Sequence, residues 1–126
     1  MGKRKILLID DEEDITETVA TMLRLKGYDV ITAYNGSEGL ANARSECPDL
    51  ILLDIIMPVT DGIDVCVELK ADKATMGIPV IMFSALRENL AIVKAYEAGA
   101  NDYVIKPFNL PALLNRMNRL ITNKQD

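Results

Sequence analysis

Polar side chains that suit charge-driven chemistry stand directly after four short apolar segments of this chain. A carboxylate can act as a nucleophile or bind a hard cation, a hydroxyl can bond to an anion, and an ammonium can neutralise one. The residues are Asp10 with Asp11, Asp54, Ser84 and Lys106. Taken singly, an acid or a serine at such a place is often only the cap of the following helix. Four such places in one small chain are harder to explain as caps.

The charges of these residues balance when a divalent cation joins them. Asp10, Asp11 and Asp54 would repel one another in a shared pocket and would bind protons without a cation. Ligands that are all oxygen point to Mg²⁺, for which Mn²⁺ could substitute. With Lys106 and such an ion the pocket is neutral, and a phosphoryl group on Asp54 brings it to only about −1. The set therefore predicts nucleophilic attack by Asp54 on phosphorus.

The composition excludes several other kinds of site. The chain has no histidine, which removes every histidine-based triad and metal site and means that the chain cannot itself be a phosphohistidine donor. Cys47 and Cys66 lack metal-ligand spacing and are interpreted as reduced thiols. The net charge of −5, without a basic patch, argues against direct binding of nucleic acid.

Length and hydropathy predict one domain over residues 1–126, with its core at about 4–122. The longest apolar runs, Ile6–Ile9 and Leu50–Leu53, are too short for a membrane span. The first of them ends at once in acidic residues, which is not the pattern of a secretory signal. We therefore expect no membrane association and a cytoplasmic location.

Short apolar runs alternate with amphipathic stretches along the whole chain. The predicted strands are Lys5–Ile9, Asp29–Ala33, Asp49–Leu53, Pro79–Phe83 and Asp102–Ile105. The predicted helices are Glu12–Lys26, Ser37–Ser45, Gly62–Ala71, Arg87–Ala98 and Leu110–Thr122. This α/β alternation predicts a doubly wound, five-stranded parallel sheet of flavodoxin-like order 2-1-3-4-5 with helices on both faces. In that order the carboxyl ends of strands 1, 3, 4 and 5 are neighbours, so the polar residues should converge.

These residues lie in motifs that are similar to those of a known family. The motifs are Ile6–Asp11, Leu53–Pro58 with Asp61-Gly62, Phe83–Ala85 and Ala98–Phe108. In this order, and over nearly the whole chain, they resemble the response-regulator receiver domain of two-component signal transduction, within the chemotaxis-regulator-like superfamily. The resemblance implies a phosphorelay switch that receives its phosphoryl group from a histidine kinase or a phosphotransfer protein. It also implies no enzyme beyond catalysis of its own phosphorylation and slow autodephosphorylation.

The resemblance gives each polar residue a role. Asp54 is the phosphoacceptor, which becomes an aspartyl phosphate. Asp11, Asp54 and the backbone carbonyl of Ile56 would ligate Mg²⁺, while Asp10 would act mainly through a metal-bound water. Lys106 would pair with the phosphoryl oxygens, and its bond to Pro107 would be cis, as in relatives.

The resemblance also implies a readout. Ser84 corresponds to a switch hydroxyl that bonds to the phosphoryl group, and Tyr103 to an aromatic residue that swings inward behind it. Both would inform the face built from the fourth helix, the fifth strand and the fifth helix, where a downstream output domain or target protein binds. The same face is compatible with a homodimer. Leu90 falls among charged positions of the fourth helix, so we predict that it is exposed there.

Ile56 and Leu86 are apolar at two positions that vary within the family and flank the path of the hydrolytic water in relatives. Two apolar groups there should hinder that water. We therefore predict slow spontaneous dephosphorylation, over many minutes, provided that both side chains face the site.

Three alternative functions fit the sequence less well. A haloacid-dehalogenase-like phosphatase also uses a strand-end aspartate with Mg²⁺, but it needs a second aspartate two residues after the nucleophile, where this chain has Ile56. A binding module that has lost phosphorylation would usually lack at least one of the five polar residues. Flavin or dinucleotide binding fails for want of a glycine-rich phosphate loop after the first strand.

Overall fold

The computed structural model describes residues 2–125, with side chains described up to residue 122. Five strands alternate with five helices in this range. The strands are β1 (Lys5–Ile9), β2 (Asp29–Ala33), β3 (Leu50–Leu53), β4 (Val80–Ser84) and β5 (Asp102–Ile105). The helices are α1 (Glu13–Leu25), α2 (Gly36–Glu46), α3 (Gly62–Ala71), α4 (Asn89–Glu97) and α5 (Leu110–Gln125). The strands form one parallel sheet in the order β2-β1-β3-β4-β5, which confirms the predicted fold class.

The core lies on both faces of the sheet because successive strand residues point to opposite sides. In β1, Leu7 and Ile9 pack toward α2, α3 and α4, whereas Ile6 and Leu8 pack toward α1 and α5. All four residues of β3 are buried, as expected of a parallel strand covered on both faces. Among residues 2–125, no helix is both long and apolar enough to cross a membrane.

The predicted bounds differ from the observed ones mainly at helix ends, where capping decides. Helix α2 begins one residue early, because the Asn35 side chain accepts a 2.8 Å bond from the Glu38 amide. The Glu38 carboxylate in turn accepts a 3.0 Å bond from the Tyr34 amide. Helix α4 begins two residues later than predicted, because Glu88 is still extended. Strand β4 runs one residue further than predicted and includes Ser84.

The start of α3 packs against the end of β3 through a glycine. A Cβ atom on Gly62 would lie 2.0 Å from the backbone oxygen of Asp54, which no side chain tolerates. The Gly62 amide donates a 2.8 Å hydrogen bond to the Ile55 carbonyl, which holds the start of α3 close to the segment after β3. The sequence Asp61-Gly62 therefore fixes the loop that follows Asp54, with Asp61 as the cap of α3.

Candidate functional site

A pocket of about 210 Å³ lies at the carboxyl ends of the strands, where a doubly wound sheet places its ligands. Its lining residues come from four chain segments: Asp11, Glu12, Asp54, Ile56, Ala85 and Lys106. The sheet thus brings together residues that are up to 95 positions apart in the sequence.

Asp54 follows β3 directly, and its backbone amide donates a 3.0 Å bond to the Ile9 carbonyl of β1. The residue is only 4% exposed. One carboxylate oxygen accepts a bond from the Ile56 amide at 3.3 Å, and the other faces the Lys106 ammonium at 3.4 Å. Asp54 is therefore held in one orientation at the wall of the pocket.

Asp10 lies behind the pocket wall and is fully buried. Its carboxylate contacts the Lys106 ammonium at 2.9 Å and accepts a bond from the Glu12 amide at 3.1 Å. The Thr16 hydroxyl lies 3.1 Å from the Asp10 carbonyl and 2.8 Å from the Glu12 carbonyl, and so fixes the β1–α1 turn. Asp10 thus pairs directly with Lys106, a contact that the sequence did not predict.

Lys106 is the cation of the site, with a side chain that is 14% exposed. Its backbone amide donates a 2.8 Å bond to the Ser84 carbonyl, and its bond to Pro107 is cis, as the resemblance implied. The ammonium also lies 4.5 Å from the centre of the Phe83 ring. Lys106 therefore has an anion on two sides and an aromatic face on a third.

The electrostatics of the pocket leave Asp54 a weak acid. Burial raises the pKa of Asp54 to about 6; the Lys106 charge acts against this rise and the Asp10 charge adds to it. The pKa of Lys106 is raised, since the hydrogen bond to Asp10 and the two acidic charges outweigh the effect of burial. One ammonium therefore does not compensate the buried acids, and a further positive charge would favour ionised Asp54.

The oxygens of three acids suit a cation of that kind. One carboxylate oxygen each from Asp10, Glu12 and Asp54 can be chosen so that all three lie within 4.8 Å of one another. An oxygen-only donor set of this charge fits a hard divalent ion such as Mg²⁺.

Glu12 is the member of this group that the sequence analysis did not include. The sequence does show a third consecutive acid after Asp10 and Asp11, but the predicted first helix, which starts at Glu12, explains it without a metal site. Asp11, the expected ligand, is half-buried and lines the same pocket.

Ser84 and Tyr103 are joined through the backbone of one residue, Leu86. Ser84 is buried, and its hydroxyl oxygen accepts a 3.2 Å bond from the Leu86 amide. The ring of Tyr103 is also buried, and its hydroxyl donates a 2.8 Å bond to the Leu86 carbonyl. Leu86, in the turn between β4 and α4, thus links Ser84 at the end of β4 to Tyr103 of β5.

Ile56 and Leu86 do not occupy equivalent places. Ile56 is 53% exposed and lines the acidic pocket. Leu86 packs against the core and lines an adjoining groove together with Asp61 and Ile63. Of the two apolar side chains, Ile56 is therefore the one beside Asp54.

The outer surface of α4 carries an apolar stripe. Leu90 is 65% exposed, which confirms its predicted exposure, and Val93 and Tyr96 are about half exposed at helical spacing from it. Beside the stripe, Arg116 of α5 forms a 2.6 Å ion pair with Asp102 of β5. The predicted output face therefore combines an apolar stripe with an ion pair.

The chain is similar in sequence to known regulatory proteins. The family model described as response regulator receiver domain matches residues 6–118 of the chain. The alkaline phosphatase synthesis transcriptional regulatory protein PhoP of Bacillus subtilis is 42% identical over 123 residues, which cover 98% of this chain and 50% of that protein. The DNA-binding dual master transcriptional regulator RpaA of Synechocystis is 40% identical over 117 residues, which cover 93% and 48%. The chain thus spans about half the length of these curated relatives.

Solved structures share the fold over their whole length. A two-component response regulator from Clostridium difficile superposes with a TM-score of 0.92 at 30% identity, covering 98% of this chain and 100% of that one. A CheY-like response regulator receiver domain protein from Methanospirillum hungatei gives a TM-score of 0.90 at 30% identity, covering 98% of each chain. Sequence and fold therefore point to the same family.

Proposed function

The chain belongs to the response regulator receiver domain family, and on that premise we propose that it is a phosphorylation switch whose phosphoacceptor is Asp54. The donor is a phosphohistidine of a sensor histidine kinase or a phosphotransfer protein. The observation that carries the proposal is the Lys106 ammonium, which lies 2.9 Å from Asp10 and 3.4 Å from Asp54 beside an open pocket.

The proposed reaction moves a phosphoryl group from the donor histidine to Asp54. An oxygen of the Asp54 carboxylate attacks phosphorus as the bond from phosphorus to the donor histidine nitrogen breaks. The electron pair of that bond stays on the imidazole, which takes up a proton. Lys106 neutralises charge on the phosphoryl oxygens, and the bonds to Asp54 hold the nucleophile in line.

A divalent cation, Mg²⁺ or in its place Mn²⁺, is the proposed cofactor. Asp10, Glu12 and Asp54 would hold it, with Asp11 and the Ile56 carbonyl as the further ligands that the family implies. When bound, the ion supplies positive charge against the charge that develops on the phosphoryl oxygens. The chain itself would act on no other substrate, and water would remove the group slowly.

The proposed readout runs from the pocket to the α4–β5–α5 face. A phosphoryl group on Asp54 would draw the Ser84 hydroxyl, which would strain the bonds that Leu86 makes to Ser84 and Tyr103. The exposed stripe of α4 would then meet a target protein, an output domain or a second copy of the chain.

Direct contact with DNA is not part of the proposal for this chain, which carries a net charge of −5. The relative described as DNA-binding is about twice as long, so we assign its contact with DNA to the part that this chain does not match. We also propose a cytoplasmic location for the chain.

The test is phosphorylation by a small donor. The chain is incubated with phosphoramidate and Mg²⁺, and its intact mass is measured. We expect a gain of one phosphoryl group that Asp54→Ala abolishes and that Asp64→Ala, a change of an exposed acid on α3, leaves intact. No gain in the native chain, or turnover of free phosphate monoesters, would contradict the proposal.

A further inference from the structure

We propose that Phe83 is a positioning residue: the face of its ring binds the Lys106 ammonium and holds it between Asp10 and Asp54. The inference rests on the proposed function of Asp54 and goes beyond it, because it gives a role to an aromatic residue that neither binds the phosphoryl group nor ligates a metal. Three features support it: the contact between Lys106 and Phe83, the packing that holds the ring, and the different chemistry of the other Lys106 partners, Asp10 and Asp54.

The contact has the geometry of a cation–π interaction. The Lys106 nitrogen lies over the Phe83 ring, 4.5 Å from its centre. Such a contact is attractive within about 6 Å and strengthens when the partners are withdrawn from water. Phe83 is 1% exposed and the Lys106 side chain is largely buried, so both partners meet that condition.

The ring is itself held in place from two sides. Phe83 lies within β4 and is paired in register with Val104 of β5. Phe108 lies two residues after Lys106, and its ring meets that of Phe83 edge-on, with the centres 6.3 Å apart and the planes at 74°. One turn of the chain therefore brings both a cation and a second ring against Phe83.

The ring differs from the other partners of Lys106 in its chemistry. Asp10 and Asp54 hold the ammonium by charge, and that charge is shared once the acids bind a cation or once Asp54 carries a phosphoryl group. A phenyl ring offers Mg²⁺ no oxygen ligand and takes no phosphoryl group, so its contact with Lys106 is not shared. Phe83 therefore remains a partner of the ammonium when the acids share their charge with a cation or a phosphoryl group.

The test replaces the charge distribution of the ring without changing its shape. Phenylalanine analogues with one, two and three ring fluorines are placed at position 83, since each fluorine withdraws negative charge from the ring face. We expect the rate of phosphorylation by phosphoramidate at saturating Mg²⁺ to fall stepwise, by about 2- to 30-fold in total. The same series at position 28, an aromatic residue directly before β2 at the opposite end of the sheet, is the control and should leave the rate unchanged. Equal rates across the position-83 series would overturn the proposal.

A second measurement tests the contact independently of phosphorylation. In the native chain the ε-methylene protons of Lys106 should be shifted upfield by the ring current of Phe83. Phe83→Leu should return them to the position of an ordinary lysine, while Tyr28→Leu, a change at the opposite end of the sheet, should leave them shifted. Unshifted native protons would overturn the contact itself. A native chain that shows the shift but takes no phosphoryl group would contradict the proposed function alone.

Discussion

The Tyr103 hydroxyl donates a 2.8 Å hydrogen bond to the carbonyl oxygen of Leu86, whose own amide donates to the Ser84 hydroxyl. Tyr103 of β5 and Ser84 at the end of β4 are thus bonded to the backbone of the same residue. A movement of Ser84 toward Asp54 would therefore displace Leu86, and through it Tyr103 and the start of α4.

Tyr103→Phe removes this bond without changing the shape of the ring. We expect the phosphorylation rate to stay within about twofold, because Tyr103 does not line the pocket, whereas the free energy of unfolding falls by about 1 kcal/mol. The NMR shifts that phosphorylation induces at Leu90 and Val93 should shrink. Tyr96→Phe is the control, since it removes a hydroxyl that contacts Asp102 and not Leu86. Undiminished shifts in Tyr103→Phe would refute a relay through this bond.

The raised pKa of Asp54 makes the stability of the metal-free chain depend on pH. The pKa rises from an ordinary value of 3.8 to about 6, so the folded chain binds this proton more tightly than the unfolded chain. The stabilising effect is present below about pH 4 and is lost as the pH rises through about 6. Asp54→Asn should therefore raise the free energy of unfolding at pH 7 by on the order of 1–3 kcal/mol. The gain should vanish at pH 4.

Urea unfolding in the presence of a chelator measures this effect. The exposed Asp64→Asn should change the free energy of unfolding by at most about 0.5 kcal/mol and serves as the control. Mg²⁺ should narrow the gap between the native chain and Asp54→Asn, because it stabilises the ionised acid. If Asp54→Asn is less stable than the native chain at pH 7, ionised Asp54 does not destabilise the folded chain, and the raised pKa is contradicted.

Glu12→Gln decides between two ligand sets for the cation. The structure groups Glu12 with Asp10 and Asp54, whereas the family resemblance favours Asp11. If Glu12 is a ligand, its replacement should weaken Mg²⁺ binding on the order of tenfold in a titration. Glu13→Gln, the exposed neighbour, should have little effect. If only Asp11→Asn weakens Mg²⁺ binding, the ligands are those that the resemblance implies, with Asp11 in place of Glu12.

Ile56→Asn should shorten the life of the phosphorylated chain. Ile56 lines the acidic pocket, so a polar side chain there admits and orients the attacking water, and we expect decay about tenfold faster. Leu86→Asn should have a smaller effect, because Leu86 faces the adjoining groove. Intact mass measured at intervals after removal of the donor follows the decay. An unchanged decay in the double variant would end the idea that apolar groups protect the phosphoryl group.

The sheet order was predictable because each strand is a short, continuous apolar run and each connection contains a helix. The places of Asp10, Asp54, Ser84 and Lys106 followed from that order alone, since parallel strands end at one edge. The directions of side chains within the turns were not predictable. Whether Leu86 faces the pocket or the groove depends on its packing against α3 and α4, which the local sequence does not determine.

The ion pair between Asp10 and Lys106 was also beyond sequence reasoning. The two residues are 96 positions apart, and spacing could say only that they share an edge of the sheet. The proximity of Glu12 to Asp10 and Asp54 was not predicted for a different reason. An acid at the start of a helix is favourable by itself, so the sequence offered a sufficient explanation that did not involve the pocket.

The identity of the phosphorylated residue directly tests the proposed role of Asp54 as the phosphoacceptor. After reaction with phosphoramidate and Mg²⁺, borohydride reduces an aspartyl phosphate to homoserine, and tandem mass spectrometry of the digested chain locates it. We expect homoserine at position 54, with none at positions 10 or 11. Homoserine at another acid, or a phosphoryl group that resists borohydride, would contradict it.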